Sequence, residues 1–327
     1  MKTTLTLLIG LVCVTFVNAQ IEITENPVVV TDTSKTIFVY RDSDESSLDD
    51  LKKVIDENWD YNEIEFVSID DFADIEMKEN DFLFMIEYDY LQSFSQTHYS
   101  DGTSSPGATS NFVDFYLALS QKKEKGFTLI SKSVLSISGP TLVDVCRTNK
   151  TAEEIIYNQY KTYTVFSWNY AYLATIMNTL SNKLPESTTF SPAENANGNL
   201  TEAYSSIENP NGSLTGLKEK KLYITDAIEI KQNRFNGSEK TIDQESAVDK
   251  AYDYAHEIVS NETLNDLVTS GQDGYVFMFQ KIGRGKVSIV IDLSTMEIIY
   301  HDRDYNHYAF DKEDLSRLNK AIAKASK

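Results

Sequence analysis

Cysteine, histidine and proline are scarce in this 327-residue chain, which has two Cys, four His and six Pro. Cys13 lies inside an apolar leader run, so Cys146 is left alone. That excludes an intramolecular disulfide scaffold and leaves stability to an ordinary core. Basic residues are also few: 30 Lys and Arg stand against 50 Asp and Glu, a net charge of −20. Such a balance argues against nucleic acid, whose phosphates need Lys and Arg partners, and against anionic lipid. Long apolar runs are missing too. The stretch Leu5–Val17 falls short of the about 20 residues that span a bilayer, and no later segment is more apolar, so no membrane insertion is expected.

What opens the chain is "MKTTLTLLIGLVCVTFVNAQ", a lysine, an apolar run and "VNA" before Gln20. This is the layout of a secretory signal peptide, residues 1–19, cut after Ala19. Cleavage removes Lys2 and no acid, so −20 becomes −21. Cys13 follows Val12 rather than a small residue, which speaks against a lipid anchor. The mature chain is expected to be periplasmic or extracellular. Five Asn-x-Ser/Thr sequons, at Asn149, Asn199, Asn211, Asn236 and Asn261, are read as chance in an Asn-rich chain.

Periodicity predicts an α+β fold of two related lobes, residues 20–150 and 220–327, each a mostly antiparallel sheet with a helix on one face. In the first, "KTIFVYRD" reads as a strand. "SSLDDLKKVIDENW" reads as a helix with Leu48, Leu51, Ile55 and Trp59 on one face and Ser47 with Asp50 as its capping pair. "IEFVSI", "DFLFMIEYDY", "NFVDFYLALSQ" and "GFTLISKSVLSIS" follow as strands, with "SDGTSSPGATS" as a mobile loop between the second and third. The second half repeats the plan. "KKLYITDAIEI" is a strand, and "ESAVDKAYDYAHEIVS" is a helix that turns Val248, Ala251, Tyr252, Ala255 and Ile258 inward. "GYVFMFQKI", "KVSIVIDLS" and "MEIIYHDR" form a meander. This is an internal duplication.

Residues 151–184 run without Gly or Pro, and Ile156, Tyr160, Tyr163, Phe166, Tyr170, Leu173, Met177, Leu180 and Leu184 recur at helical steps. One connecting helix about 50 Å long is expected, capped by Thr151 with Glu154 and ended by Pro185. Its wide apolar arc fits a helix buried against both lobes, or the seam of a homodimer. Residues 185–219, rich in Pro, Gly, Ser and Asn, read as a flexible linker.

Chemical motifs are mostly absent. No serine sits between glycines at a strand-to-helix elbow, and no glycine-rich phosphate loop opens a helix; "GRGK" falls in a hairpin. "HEIVS" at His256 lacks the second histidine of a zinc helix and reads as a helix-surface histidine. Cys146 reads as a buried thiol. Acidic pairs in "SIDDF", "SLDD" and "EYDY" are what 50 acids produce by chance, and the aromatics of "NWDYNE" fit either sugar stacking or a core. One stretch, "YHDRDYNHYAFDKEDLSRL", offers ion ligands in order. Asp302, Asp304, Asn306, Tyr308 and Glu313 fill positions 1, 3, 5, 7 and 12 of an EF-hand-like calcium loop, with His307 where glycine belongs. The competing account is a strand end, a turn and a helix cap from Asp311 and Asp314 for a last helix over Lys312–Ala325. His301 and His307 could alternatively hold a transition metal. Calcium is the one cofactor expected, if any.

The leader, the Tyr-, Asn- and Asp-rich composition and the opening "ENWDYNEIEFVSIDDF" resemble exported proteins of unknown function from Bacteroidetes-type bacteria. The resemblance implies an envelope address and transfers no site residues. The resulting expectation is a non-catalytic binding or assembly protein that meets an envelope protein or glycan. A hydrolase of an envelope polymer and a calcium-stabilised module are the alternatives.

Overall fold

The computed structural model describes residues 21–24, 28, 30, 31, 33–98, 104–141, 145, 150–187, 213–232, 238–282, 285–304, 307 and 309–327. The leader, Cys146, Asn306, Tyr308 and the 188–212 part of the expected linker lie outside these.

Strand β1 (Ile21–Ile23) precedes β2 (Thr36–Tyr40), helix α1 (Leu48–Asp56), β3 (Ile64–Ser68), β4 (Phe82–His98), β5 (Ser104–Lys122) and β6 (Phe127–Leu135). Helices α2 (Ala152–Lys161) and α3 (Tyr170–Ser187) follow. The second half holds β7 (Leu222–Thr225), β8 (Ile230–Gln232), β9 (Glu239–Thr241), α4 (Glu245–Ala251), β10 (His256–Val259), α5 (Asn261–Thr269), β11 (Tyr275–Ile282), β12 (Gly285–Asp292), β13 (Glu297–Asp304) and α6 (Lys312–Ala325). The α+β class holds, and the expected duplication has a topological counterpart. One sheet runs β1-β6-β5-β4-β2-β3 and the other β10-β7-β11-β12-β13. In each, one interior strand lies parallel to two neighbours (β2 to β3 and β4, β7 to β10 and β11), and antiparallel strands complete the sheet. Both sheets are therefore mixed: three of five pairings are antiparallel in the first and two of four in the second, and β3 and β10 are reached by helical crossovers.

The second parallel partner was hidden in the expected helix over 245–260. The chain leaves α4 at Ala251, and His256–Val259 pairs with Leu222–Thr225. Tyr252 is already extended (φ −126, ψ 123), and the β-branched pair Ile258-Val259 fits a strand better than a helix. His256 is thus a strand residue, its ring nitrogens at 2.9 Å from the Tyr254 carbonyl and 3.1 Å from Asp249 Oδ1.

The single helix over 151–184 is two helices. The Thr151–Glu154 capping box opens α2 as expected, but residues 162–169 leave the helical path. Ser138 N–H donates to Thr164 O (3.0 Å), Phe166 N–H to Ser136 O (2.7 Å), and Ile137 bridges Val165, so residues 164–166 are held as extended chain. Arg41 clamps the end of α2. Its Nε donates to Gln159 O (3.0 Å) and its Nη2 to Tyr163 O. Asn169 restarts the helix as N-cap, its Oδ1 accepting Tyr172 N–H at 3.0 Å. Arg41 is balanced by buried Asp44, which also accepts from Trp168 Nε1 at 3.0 Å. Burial raises the Asp44 carboxyl above its ordinary range, opposed by the Arg41 amide, the Arg41 charge and Trp168.

Helix α3 lies against α1, α5, β12 and β13. Ala171, Tyr172, Leu173, Ala174, Ile176, Met177, Leu180 and Leu184 are all fully buried. They share one core with Ile37, Phe84 and Leu117 of the first sheet and Val276, Met278, Ile289 and Ile291 of the second. The apolar arc of α3 is thus covered by the chain itself, while on α2 Tyr157 stays exposed. The far face of the second sheet packs Phe277, Phe279 and Val290 on α4 and α6. Two further expectations change. Ser47 makes no capping bond and instead receives the Tyr170 hydroxyl at 3.0 Å. The linker expected up to 219 ends in a 3-10 turn, Ser213–Lys218, whose Leu214 and Leu217 are buried; Gly216 lies so close to Tyr275 that a Cβ would clash.

Replacing Arg41 by Met should cost about 3–5 kcal/mol, because Asp44 and two carbonyls lose a buried cation. Urea unfolding monitored by Trp fluorescence measures it, and a loss below about 1 kcal/mol would show the clamp to be dispensable.

Candidate binding surface

The acids of the expected calcium loop are brought near one another, but around a guanidinium. Asp302 and Asp304, two residues apart on β13, share a face. Asp302 Oδ2 accepts from Arg317 Nε at 2.6 Å, and Asp304 Oδ2 lies 3.9 Å from Arg317 Nη2. Asp304 also accepts from the backbone N–H of His307 (3.2 Å), whose Nδ1 sits 2.9 Å from its other oxygen. Glu313 enters through its backbone N–H, donated to Asp311 Oδ1 at 3.0 Å, which is the helix-cap account. Helix α6 begins and ends where the sequence placed it. Asp314, fully buried, takes Lys286 Nζ (2.6 Å), Arg317 Nη2 (2.5 Å) and the Asp311 N–H (2.9 Å). Among the described residues, no group of three or more His, Cys, Asp or Glu is placed to hold a metal. Strand alternation puts His301 on the opposite face from Asp304, away from His307.

The other sequence candidates also resolve into packing or surface pairs. Trp59 of "NWDYNE" is buried, stacks edge-on to Phe84 at 5.2 Å and donates Nε1–H to Asn62 Oδ1 at 3.1 Å. It is no platform for a sugar. Asp70 of "SIDDF" binds Lys161 (2.6 Å) and the Tyr157 hydroxyl (3.0 Å) at the surface.

The feature that the sequence did not announce is the length of β4 and β5. β2 pairs with β4 only over Phe82–Phe84, and β6 pairs with β5 only from Phe115 onwards. From Asp89↔Asp114 out to His98↔Ser104 the two strands pair with each other alone. At about 3.4 Å per residue this two-stranded ribbon is roughly 30 Å long. Most of the expected loop over 100–110 is strand, since residues 104–110 belong to β5. Ser and Gly in "SDGTSSPGATS" read as loop, while the ladder itself is a tertiary fact with no strong local signal.

The root of the ribbon is pinned on both faces. On one, Asp89 accepts from the Tyr116 hydroxyl (3.1 Å) and from Lys132 Nζ (2.6 Å), which stands 4.3 Å from the Tyr116 ring. Glu87 is directly opposite Tyr116 on the ladder, and burial raises its carboxyl above the ordinary range. On the other face the Tyr88 and Phe115 rings lie 5.7 Å apart. At Ile86, where β2 no longer pairs with β4, the backbone N–H goes to the Tyr160 hydroxyl at 2.5 Å. Beyond that point no third described strand pairs with either edge of the ribbon, and such an edge is a template for an added strand.

No protein-family model matches this chain, and no curated protein or solved structure matches it either. The functional reading therefore rests on geometry.

Because Arg317 already occupies Asp302 and Asp314, thermal melting curves in EDTA and in millimolar calcium should coincide. A calcium-specific rise abolished by Glu313→Gln would overturn this and install the loop as a site. His301 gives a second expectation. Burial first, then Arg303, lowers its pKa against the pull of Asp302, and its Nε2 makes no hydrogen bond. The folded state thus keeps the ring neutral while the unfolded chain takes up a proton near pH 6.5, so stability falls as pH drops below that value. His301→Leu should flatten the acid limb of a stability–pH curve between pH 7 and 5; an unchanged slope would assign that limb to other groups.

Proposed function

We propose that this chain is an exported, non-catalytic binding or assembly protein of the cell envelope that engages its partner through the β4–β5 ribbon. The observation that carries the reading is the stretch from Asp89↔Asp114 to His98↔Ser104, where among the described residues β4 and β5 form a ladder with each other and no third strand joins it. An isolated two-stranded ribbon is marginal in water, and a third strand from a partner would stabilise it. The partner is then an extended segment of another envelope protein, held by backbone bonds along the edge. The leader-like first 19 residues support export, and among the described residues no helix is long and apolar enough to cross a membrane. The hydrolase reading has Glu87 and Asp89 to draw on. Asp89 is tied to Lys132 and Tyr116, which serves the ribbon root better than it serves an attacking water.

The test replaces Leu91–Phe112 by Asn-Gly, closing a tight hairpin on the Tyr90↔Val113 pair. The variant should melt within a few degrees of the parent. A photo-crosslinker at position 93 should trap one partner in whole cells, and that partner should no longer co-purify with the shortened chain. Recovery of the same partner at equal yield without the ribbon would sink the proposal.

A further inference from the structure

Where β6 ends, the chain turns into a cavity of about 390 Å³, within the roughly 300–1,000 Å³ of small-molecule sites. Three segments distant in sequence wall it. The turn from Ser138 to Thr141 forms one side, the break between α2 and α3 the second, and Glu239 of β9 reaches in from the second half of the chain. Glu239 locks the walls together by accepting the Gly139 N–H at Oε1, 2.6 Å away.

The lining is rich in hydroxyls and mixed in polarity. Ser138 Oγ and Thr141 Oγ1 lie 2.8 Å apart, so one donates to the other and the pair keeps a hydroxyl hydrogen and lone pairs for a ligand. Thr162 and Thr164 also line it, the Thr162 hydroxyl donating to Asn158 O at 3.4 Å. Beyond the Gly139 N–H at Oε1, the Glu239 carboxylate keeps further lone pairs that a ligand can use. Apolar surface comes from Pro140 and the Tyr163 ring, whose orientation is fixed by Lys150 Nζ on its hydroxyl at 2.9 Å. Charge is balanced around the site. Glu239 repels anions, while Lys150 and Lys281 stand against a free cation. Burial lowers the Lys281 amine to about 8, with Glu239 pulling it back up.

We infer that this cavity is a binding site for a neutral sugar ring, with Glu239 and the Ser138–Thr141 hydroxyls taking its hydroxyl groups and Pro140 with Tyr163 facing its C–H surface. A ligand with several hydroxyls and no net charge suits these walls. The site is separate from the ribbon, so either proposal can fail alone.

Titration of the full chain, labelled with ¹⁵N-threonine, against D-glucose, D-galactose and N-acetyl-D-glucosamine tests it. Ethylamine, acetate and glycine serve as charged controls. The expected result is a saturable shift of the Thr141, Thr162 and Thr164 amides by at least one sugar at millimolar concentration. That affinity should fall at least tenfold in Glu239→Gln and in Thr141→Val. Thr141→Val keeps the Glu239–Gly139 bond, so it reads ligand contact even if Glu239→Gln loosens the turn. No shift with any sugar, or shifts as large with the charged controls, would overturn the inference.

Discussion

Helix α3 must be covered around most of its circumference. From Tyr170 to Leu184 its residues are apolar around most of the circumference, and such a helix is stable only inside a core. One sheet cannot enclose it, since a sheet offers one face to one side of a helix. The two halves of the chain therefore contribute together, and the buried residues of both sheets form one continuous cluster around it. The break before α3 follows from the same need. A continuous rod from 151 to 184 would carry the α2 residues past the core, whereas the non-helical run 162–169 lets α2 settle on β4 and on the turn Asp42–Ser47 beside Arg41. The buried Arg41–Asp44 pair is the polar cost of that bend, and Trp168 and the α2 carbonyls satisfy it.

Much of the architecture was legible because strands buried on both faces read as near-continuous apolar runs. "YVFMFQKI" and "KVSIVID" are of this kind, with Phe277 and Val290 facing α6 while Met278 and Ile289 face α3. Helix α6 was legible to the residue, because Asp311 and Asp314 form a capping box that is written locally. The repeated plan expected of the two halves has a counterpart in the sheets, where β6-β5-β4-β2-β3 matches β13-β12-β11-β7-β10 and β1 is an addition to the first.

What sequence hid was decided by distant partners. The 3–4 residue repeat through Tyr160, Tyr163, Phe166 and Tyr170 is compatible with one helix, yet strand-like pairing of 164–166 with 136–138 overrides it. "HEIVS" continues a helical pattern on paper, and Leu222–Thr225 claims it as a strand. The acidic spacing at 302–313 has the same lesson in electrostatics. Spacing counts oxygens, but it does not reveal that Arg317, one turn into α6, supplies the positive charge. The ribbon escaped notice for the opposite reason: its residues carry little hydrophobic pattern, and only the register of β4 against β5 defines it.

Both candidate surfaces originate at one parting of strands. Phe115↔Leu135 is the last pair between β5 and β6. On one side of it, β5 continues with β4 as the ribbon; on the other, the chain after β6 swings away to bridge Val165 and form a cavity wall. Had β6 continued along β5, the ribbon would have been a flat three-stranded extension with its inner edge satisfied, and Ser136–Ser138 would have lain in a ladder. The departure is stabilised by bonds that a ladder could not make: Ser136 N–H donates to Ser167 Oγ (2.8 Å), and Ser138 N–H to Thr164 O (3.0 Å). Those bonds also hold the α2–α3 break in place. The bend that seats α3 in the core thus frees an edge of the ribbon and opens the cavity, so both surfaces follow from how the central helix is buried.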